Sequence, residues 1–525
     1  MKPVISVVIP VYNAETTLRK CVESLVFGTF RSVKIILVDD CSKDKSWNLC
    51  QSLADQFDNV KCVQNPENKG VSYTRNHGLA ETEGEYVLFV DSDDWVSGRY
   101  AESLYQEALK APDTLPVCGF KLIDQTKGER KDYLWNPAGE HGSKYTLERK
   151  DFFELLDQIH IQQLWNKIFR KAVIDEHQLR FDETQSMGED FQFVLDYIEA
   201  AQIERCEIIN EPLYYYLRAN NTSLMSKFGL TKTNSEYSRL KQLLSIAGEE
   251  NQDNIQRYDQ AIANAKYSAV YQAVHNAAWS KEEKLCYIEQ VMGDGNAPRH
   301  YTEQNRIYQK EKLAEKLKAA KNLYPRLKGK FRRNKRDRLI EEMKGKLQNR
   351  DFSIISQNCI GGVFYHDMGL QFTSPTINLY FTCPDFVKFV LNLDHYLALT
   401  PQMTWGEEYP VGYLEDVAIC FQHYDSCSEA LKKWEERKKR INREKVIVLC
   451  TDREDFTEET YALWKRVSYP KVLFTVTNRN APEEVYYPEY SNERQVGDLI
   501  QTREFYKEDT LLNTVNGVVK DKKNN

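Results

Sequence analysis

The 525-residue chain has no apolar run approaching the roughly 18 residues that a membrane-spanning helix needs. Met1-Lys2-Pro3 leads directly into an apolar strand pattern. That leaves no room for a signal peptide and sets the expectation of a cytoplasmic protein. The 12 cysteines include no CxxC pair and no Cys/His zinc spacing. Cys21, Cys50, Cys62 and Cys450 sit inside apolar stretches, the setting of reduced, buried thiols, so disulfides are not expected. With 41% apolar and 28% charged residues the chain is globular, and its length exceeds one hydrophobic core, so roughly two to four domains are expected.

Strand and helix signals alternate from the first residues. Val4 to Pro10 is a β-branched run suited to a sheet buried on both faces. Thr16 to Val26 then carries Leu18, Val22, Leu25 and Val26 at helical spacing. Val33 to Val38, Val60 to Gln64 and Tyr86 to Val90 repeat the strand signal, with helices at Ser46 to Phe57 and Val71 to Glu81. This predicts a βαβ series around an open, mostly parallel sheet. Ligands gather at the carboxyl ends of such strands. Pro10-Val11-Tyr12-Asn13, Asp39-Asp40 and Asp91-Ser92-Asp93-Asp94 all stand there. Each is also ordinary turn chemistry, but three such ends in one sheet favour a site. Clustered carboxylates after an apolar strand suit Mg²⁺ or Mn²⁺ bridged to substrate phosphates.

In order, SVVIPVYNAE (6–15), ILVDDCSKDKS (36–46), NKGVSYTRNHGL (68–79) and GEYVLFVDSDDW (84–95) resemble the family 2 inverting glycosyltransferases, whose fold is the Rossmann-like GT-A type. The resemblance covers about residues 1–225, a nucleotide-sugar half (1–115) and an acceptor half (116–225). Cys41 stands where glycine is the commoner residue.

The resemblance implies that Asp40, with Asp39 beside it, binds the uracil of a UDP-sugar, and that Pro10, Tyr12 and Asn13 line the nucleotide pocket. Arg75 corresponds to a basic residue near the nucleotide or diphosphate; a helix-surface charge is the alternative. Asp91-Ser92-Asp93 matches the DxD motif, so the metal falls to Asp93, Asp91 or Asp94, with the division among them open. Trp165 and Lys167 match a W-x-K segment on the acceptor side. Asp190, paired with Glu189, matches the general base, in place of a plain helix-start acid. Arg218 is a diphosphate contact or an exposed arginine ending a core strand. The implied enzyme is a metal-dependent hexosyl- or N-acetylhexosaminyl-transferase, needing Mn²⁺ or Mg²⁺. It acts on a glycan or lipid-linked glycan of a bacterial capsule, exopolysaccharide or surface glycoconjugate, and turns an α-linked donor into a β-linked product.

Residues 226–349 are helical in pattern, for example Tyr237 to Ile246 and Ala261 to Ala278, and His275 and His300 are lone histidines with a packing or surface role. Residues 310–350 hold sixteen Lys or Arg against five acids, a net +11 that leaves −18 for the rest of the chain. Leu323, Leu327, Phe331, then Leu339, Met343 and Leu347 recur every fourth residue. A solvated helical linker ranks first, and peripheral contact with the anionic inner face of the membrane second. With Tyr324 and Phe331 the interleaved aromatics, nucleic acid ranks last, and no nucleic-acid partner is expected.

A second, smaller α/β domain follows at 350–480, with strands at Thr376–Phe381, Val417–Tyr424, Lys445–Cys450 and Val472–Thr477, helices at Pro384–Leu393, Ser428–Arg440 and Glu458–Arg466, and a polar tail at 481–525. Its segments SIISQNCIGG, YPVGYLEDVAICFQHY and LKKWEERKKRIN resemble a bacterial domain of unassigned function from exopolysaccharide biosynthesis proteins. Asn358 to Gly362, with Glu415, Asp416, His423, Trp434, Arg437 and Arg440, marks a ligand site there or ordinary surface. Two alternatives to a single transferase follow: a bifunctional enzyme with a second site in 350–480, and a non-catalytic scaffold of an assembly complex.

Overall fold

The computed structural model describes residues 2–158, 161–185, 187–219, 230–276, 278–321, 336–453, 455–491, 493, 495–497, 499–506 and 509–518. It divides into two units, Met1–Leu317 and Lys318–Asn525.

The first unit opens with β1 (Ile5–Val11), β2 (Val33–Asp39), β3 (Val60–Gln64) and β4 (Tyr86–Phe89). Along β1 the side chains alternate between two cores. Ile5, Val7, Ile9 and Val11 pack with the helices Leu18–Val26 and Ser46–Gln56, and Val8 packs with Leu79, Val87 and Phe89 on the other face. That two-sided burial is why the run is continuously apolar. Gly78 belongs to the same packing: a Cβ there would stand 2.3 Å from Val8 Cγ1, so glycine lets the helix Val71–Ala80 lie close on β1.

After β5 (Trp95–Val96) come β6 (Thr114–Asp124), β7 (Glu129–Tyr133), β8 (Lys144–Glu148), β9 (Phe169–Arg170) and β10 (Arg205–Arg218). The first sheet has the order β3-β2-β1-β4-β9, parallel except for β9. The chain winds outward from β1 to β3 and then crosses to β4, so the order reverses between β1 and β4, where such sheets open a ligand crevice. Pairing of Val11 with Asp39 and of Val8 with Phe89 brings the three polar strand ends to one edge. A second sheet, β5-β10-β6-β7 with β8 on β10, carries the tyrosine-rich strand. Helices Leu230–Ala247, Gln252–His275, Lys281–Met292 and Ala297–Lys321 complete the unit. The helical span expected at Ala261 to Ala278 stops at His275, where Asn276 turns extended (φ −68°, ψ 106°). His275 packs between Tyr271 and Tyr308, and His300 pairs with Asp294.

The second unit has β11 (Ser353–Ser356), β12 (Gln402–Trp405), β13 (Pro410–Leu414), β14 (Val417–Cys420), β15 (Val446–Thr451), β16 (Lys471–Thr475) and β17 (Glu484–Tyr486). β11-β15-β16-β17 form a parallel sheet, and β12-β13-β14 an antiparallel one. The strand expected at 376–381 is absent: apart from the bridge of Tyr380 to Cys420 the segment is turn and loop, its Ile377, Leu379 and Phe381 buried without a ladder. The core runs beyond the 350–480 span, from Met343 and Leu347 to Val496, Leu499, Phe505, Tyr506, Leu511, Leu512 and Val515. The apolar stripe at Leu339, Met343 and Leu347 is therefore spent on this unit's own core. Its counterpart at Leu323, Leu327 and Phe331 lies outside the described residues, as do Asn220 to Ser223 and Lys520 to Asn525. Among the described residues no helix is long and apolar enough to cross a membrane.

Candidate active site

The centre of the site is Arg75, and the helix-surface alternative for it falls away because its side chain is only 4% exposed. It projects from the helix Val71–Ala80 and donates to Asp91 Oδ1 (Nη2, 3.1 Å), Glu189 Oε1 (Nη1, 3.2 Å) and Asp190 Oδ1 (Nη1, 2.5 Å). One guanidinium thus fastens the DxD turn to the acids at the start of the helix Glu189–Ala200. Loss of solvent opposes its charge, but Asp190, Asp91 and Glu189 outweigh that and hold it above its ordinary range. The acids reach Arg75 because Gly188 takes a left-handed φ of 78° before the helix, where a Cβ would stand 2.3 Å from Arg239.

Burial raises the Asp190 carboxyl to about 7, Arg75 works against the rise, and Glu189 and Asp91 add to it. A carboxyl in that range is matched to taking a proton near neutral pH. Asp93 is exposed, yet desolvation by its surroundings and the Asp91 charge push it up to about 6.

Asp94 does something else. It is 1% exposed and accepts from Tyr214 Oη (2.7 Å) and Leu217 N (2.7 Å), which fastens the DxD turn to β10. Burial, then Asp93 and Asp91, hold it well above the usual carboxylate range. Tyr214 also accepts from Asp91 N, at 3.2 Å. Sequence analysis did not single out that phenol, which lies in the run Tyr214-Tyr215-Tyr216. Asp94 faces inward, so of the three acids proposed for a metal Asp91 and Asp93 stay accessible. Among the described residues no group of three or more His, Cys, Asp or Glu converges as a metal set.

At the other strand ends, Asp40 is spent on its neighbours. Its oxygens accept from Asn65 Nδ2 (2.8 Å), Lys69 N (2.9 Å) and Gly70 N (2.9 Å), which orders the loop entering the Arg75 helix. Asp39 Oδ2 accepts from Ser42 N and Gln64 Nε2, while its buried Oδ1 has no partner among the described residues. Tyr12 presents its ring to solvent, 45% exposed. Pro10 lies in β1 beside Val38, one residue before the strand's end, and Asn13 Oδ1 accepts from Lys43 N at 2.8 Å. Asn13 and Cys41 both have φ above +50°, a conformation that explains why glycine suits position 41. Ser92 is buried in the DxD turn.

Trp165 and Lys167, expected on the acceptor side, are interior. Trp165 stacks on Tyr214 at 4.2 Å, and Lys167 is 0% exposed, donating to Gln163 O and Asn166 Oδ1. Burial lowers the Lys167 ammonium to about 7. Neither offers a surface to an acceptor. Arg218 ends β10 paired with Asp124 at 3.4 Å, and among the described residues no hydrogen bond or ion pair ties it to the carboxylate cluster. A concavity of about 710 Å³ is lined by Glu83, Glu85, Tyr86 and Arg170 at the amino end of β4, the opposite edge from these acids.

The Glycosyl transferase family 2 model matches residues 6–178. An uncharacterized protein of Haemophilus influenzae is 35% identical over 173 residues, 32% of this chain and 84% of that protein. The chain belongs to the family 2 glycosyltransferases. This family 2 enzyme is also 30% identical to glycosyltransferase GlyA of Streptococcus pneumoniae over 35% of its own length and 27% of GlyA. With the uncharacterized glycosyltransferase EpsJ of Bacillus subtilis it shares 30% identity over 43% of the chain and 63% of EpsJ. It thus spans less than two thirds of either named relative. The structure of Staphylococcus aureus TarS 1–349 with UDP-GlcNAc aligns at 22% identity and a TM-score of 0.44, over 57% of this chain and 81% of that one. A second model, a domain of unknown function called DUF1919, matches residues 330–519 of the glycosyltransferase.

Proposed function

We propose that the first unit moves a sugar from a UDP-sugar to a hydroxyl of a bacterial surface glycan or its lipid-linked precursor, with inversion. The observation that carries this is Arg75, which holds the DxD acid Asp91 and the acids Glu189 and Asp190 on one cation. Asp190 removes the acceptor hydroxyl proton, the freed oxygen bonds to the anomeric carbon, and the bond from that carbon to the diphosphate oxygen breaks. Glu189 keeps Asp190 in place through their shared guanidinium. Tyr12 supplies a face for the base. Asp39, with its unpartnered Oδ1, is a better acceptor for the uracil N–H than Asp40, whose oxygens already accept three donors.

Asp93 and Asp91 suit a Mg²⁺ or Mn²⁺ site in which the protein gives one or two carboxylates and the substrate phosphates the remaining oxygens. A cation there supplies charge neutralisation for the departing diphosphate. Peripheral placement at the inner face of the membrane is consistent with the basic run at 310–350, although part of its apolar stripe is buried. The test is hydrolysis of a nucleotide-sugar panel with Mn²⁺ by the full chain and by Asp190→Ala and Asp93→Ala. Turnover of UDP-sugars by the unmodified chain that both variants abolish is expected, and unchanged turnover in both refutes the assignment.

A further inference from the structure

In the second unit, three segments are pinned together at the carboxyl end of β11. Phe381 N donates to Gln357 O at 3.0 Å, and Tyr380 exchanges backbone bonds with Cys420 at 2.8 and 2.9 Å. These bonds carry the loop after β14 over the residues after β11, and they set His423 Nε2 3.2 Å from Cys359 Sγ. His423 is exposed and Cys359 partly exposed, so the pair is open to small molecules. Asn358, beside the thiol, is fixed by its donation to Thr451 Oγ1 at 2.8 Å.

Cys359 directly precedes the helix Ile360–Met368, whose first-turn N–H groups on Gly361 and Gly362 make no bond among the described residues. A Cβ on Gly361 would meet Ser356 and Ile354 at under 3 Å, so that glycine serves helix packing on β11. Arg453 Nε and Asp455 Oδ1, in the loop after the adjacent β15, are buried polar atoms without a partner among the described residues.

We propose that Cys359 and His423 form a second reaction centre, separate from the glycosyl site, that carries an acyl group as a thioester. Burial keeps Cys359 a thiol, with Arg453 opposing, so the imidazole has to take its proton. As it does, Sγ bonds to the carbonyl carbon of an activated acyl ester or thioester. The bond from that carbon to the leaving oxygen or sulfur breaks, and His423 returns the proton to the leaving group. An acceptor hydroxyl reverses the steps: it gives its proton to His423 and takes the acyl carbon, and the sulfur recovers the proton. Acyl transfer develops charge on one oxygen, which free helix N–H groups can meet. Phosphoryl transfer spreads charge over three oxygens and calls for a cluster of cations, where Arg453 is the cation acting on this thiol.

The probe is p-nitrophenyl acetate with the full chain, followed by mass spectrometry of each cysteine after an acid quench. Acetyl-Cys359 should form at least about tenfold faster than acetyl-Cys286, which is exposed and is paired with the Gln290 amide. His423→Gln should slow it at least about tenfold at unchanged melting temperature, and Asp190→Ala should leave it unchanged. Equal rates at the two cysteines, or no effect of His423→Gln, overturns the proposal. Phosphorylation of Cys359 by p-nitrophenyl phosphate in place of acetylation overturns the acyl assignment.

Discussion

Replacing Arg75 with methionine removes a side chain that bonds Asp91, Glu189 and Asp190 together. Breaking a buried ion pair by deleting one partner costs about 3–5 kcal/mol. Asp190 and Asp91 are 21% and 30% exposed, so the low end, about 3 kcal/mol, applies. Arg75 is also the influence that holds Asp190 down. Without it the carboxyl rises further above 7, and each added unit leaves about tenfold less base at neutral pH. With the loss of positioning, kcat/KM should fall about a hundredfold or more, and its acid limb should move to higher pH. Stability gives the second readout. Carboxyls whose folded pKa lies above the unfolded value lend stability that is complete below the unfolded range, near about pH 4, and lost as the pH rises through the folded value. Arg75→Met should therefore melt well below the unmodified chain at pH 8 and close to it at pH 5. Activity within about threefold, with an unmoved acid limb and an equal melting deficit at both pH values, refutes the reasoning.

Asp93→Ala should abolish stimulation by Mn²⁺. In the unmodified chain that stimulation should fade as the pH drops through about 6, because the ligand must be ionised; titration calorimetry with Mn²⁺ and UDP checks both. Asp94→Ala should lower stability by about 2–4 kcal/mol, as Tyr214 Oη and Leu217 N lose their buried acceptor; urea unfolding measures it. Cys41→Gly should stabilise by about 0.5–1 kcal/mol, since φ is 56° there, read from the shift in urea midpoint.

Most of the first sheet was legible because β1, β2 and β4 are buried almost throughout and are therefore written as apolar runs. The expected strand at Val60 to Gln64 and that of β3 coincide to the residue. Arg75 was not legible in the same way. Within Val71–Ala80 it is one polar residue on a short helix, and the acid that gives it meaning lies 115 residues further on. The W-x-K segment was misjudged for a related reason. An aromatic and a lysine look alike in sequence whether they face a ligand or, as here, a stacked Tyr214 and a carbonyl. In the second unit, the polar appearance of residues 481–525 hid Phe505, Leu511 and Val515, which are buried because the short strands β16 and β17 need a covering layer.

The acids at the carboxyl edge of the first sheet differ in what already satisfies them. Asp40 accepts three donors, and Asp94 accepts two from β10. Glu189 and Asp190 share Arg75, which also takes one oxygen of Asp91. Asp93 is exposed, raised, and crowded by Asp91. The donor diphosphate of the proposed reaction would add more negative charge to that place, so the proposed site calls for a cation that Arg75, already engaged on three carboxylates, does not supply. The same arrangement separates two roles on one turn: Asp94 anchors it to β10, and that anchorage leaves Asp93 exposed for the donor role proposed for it.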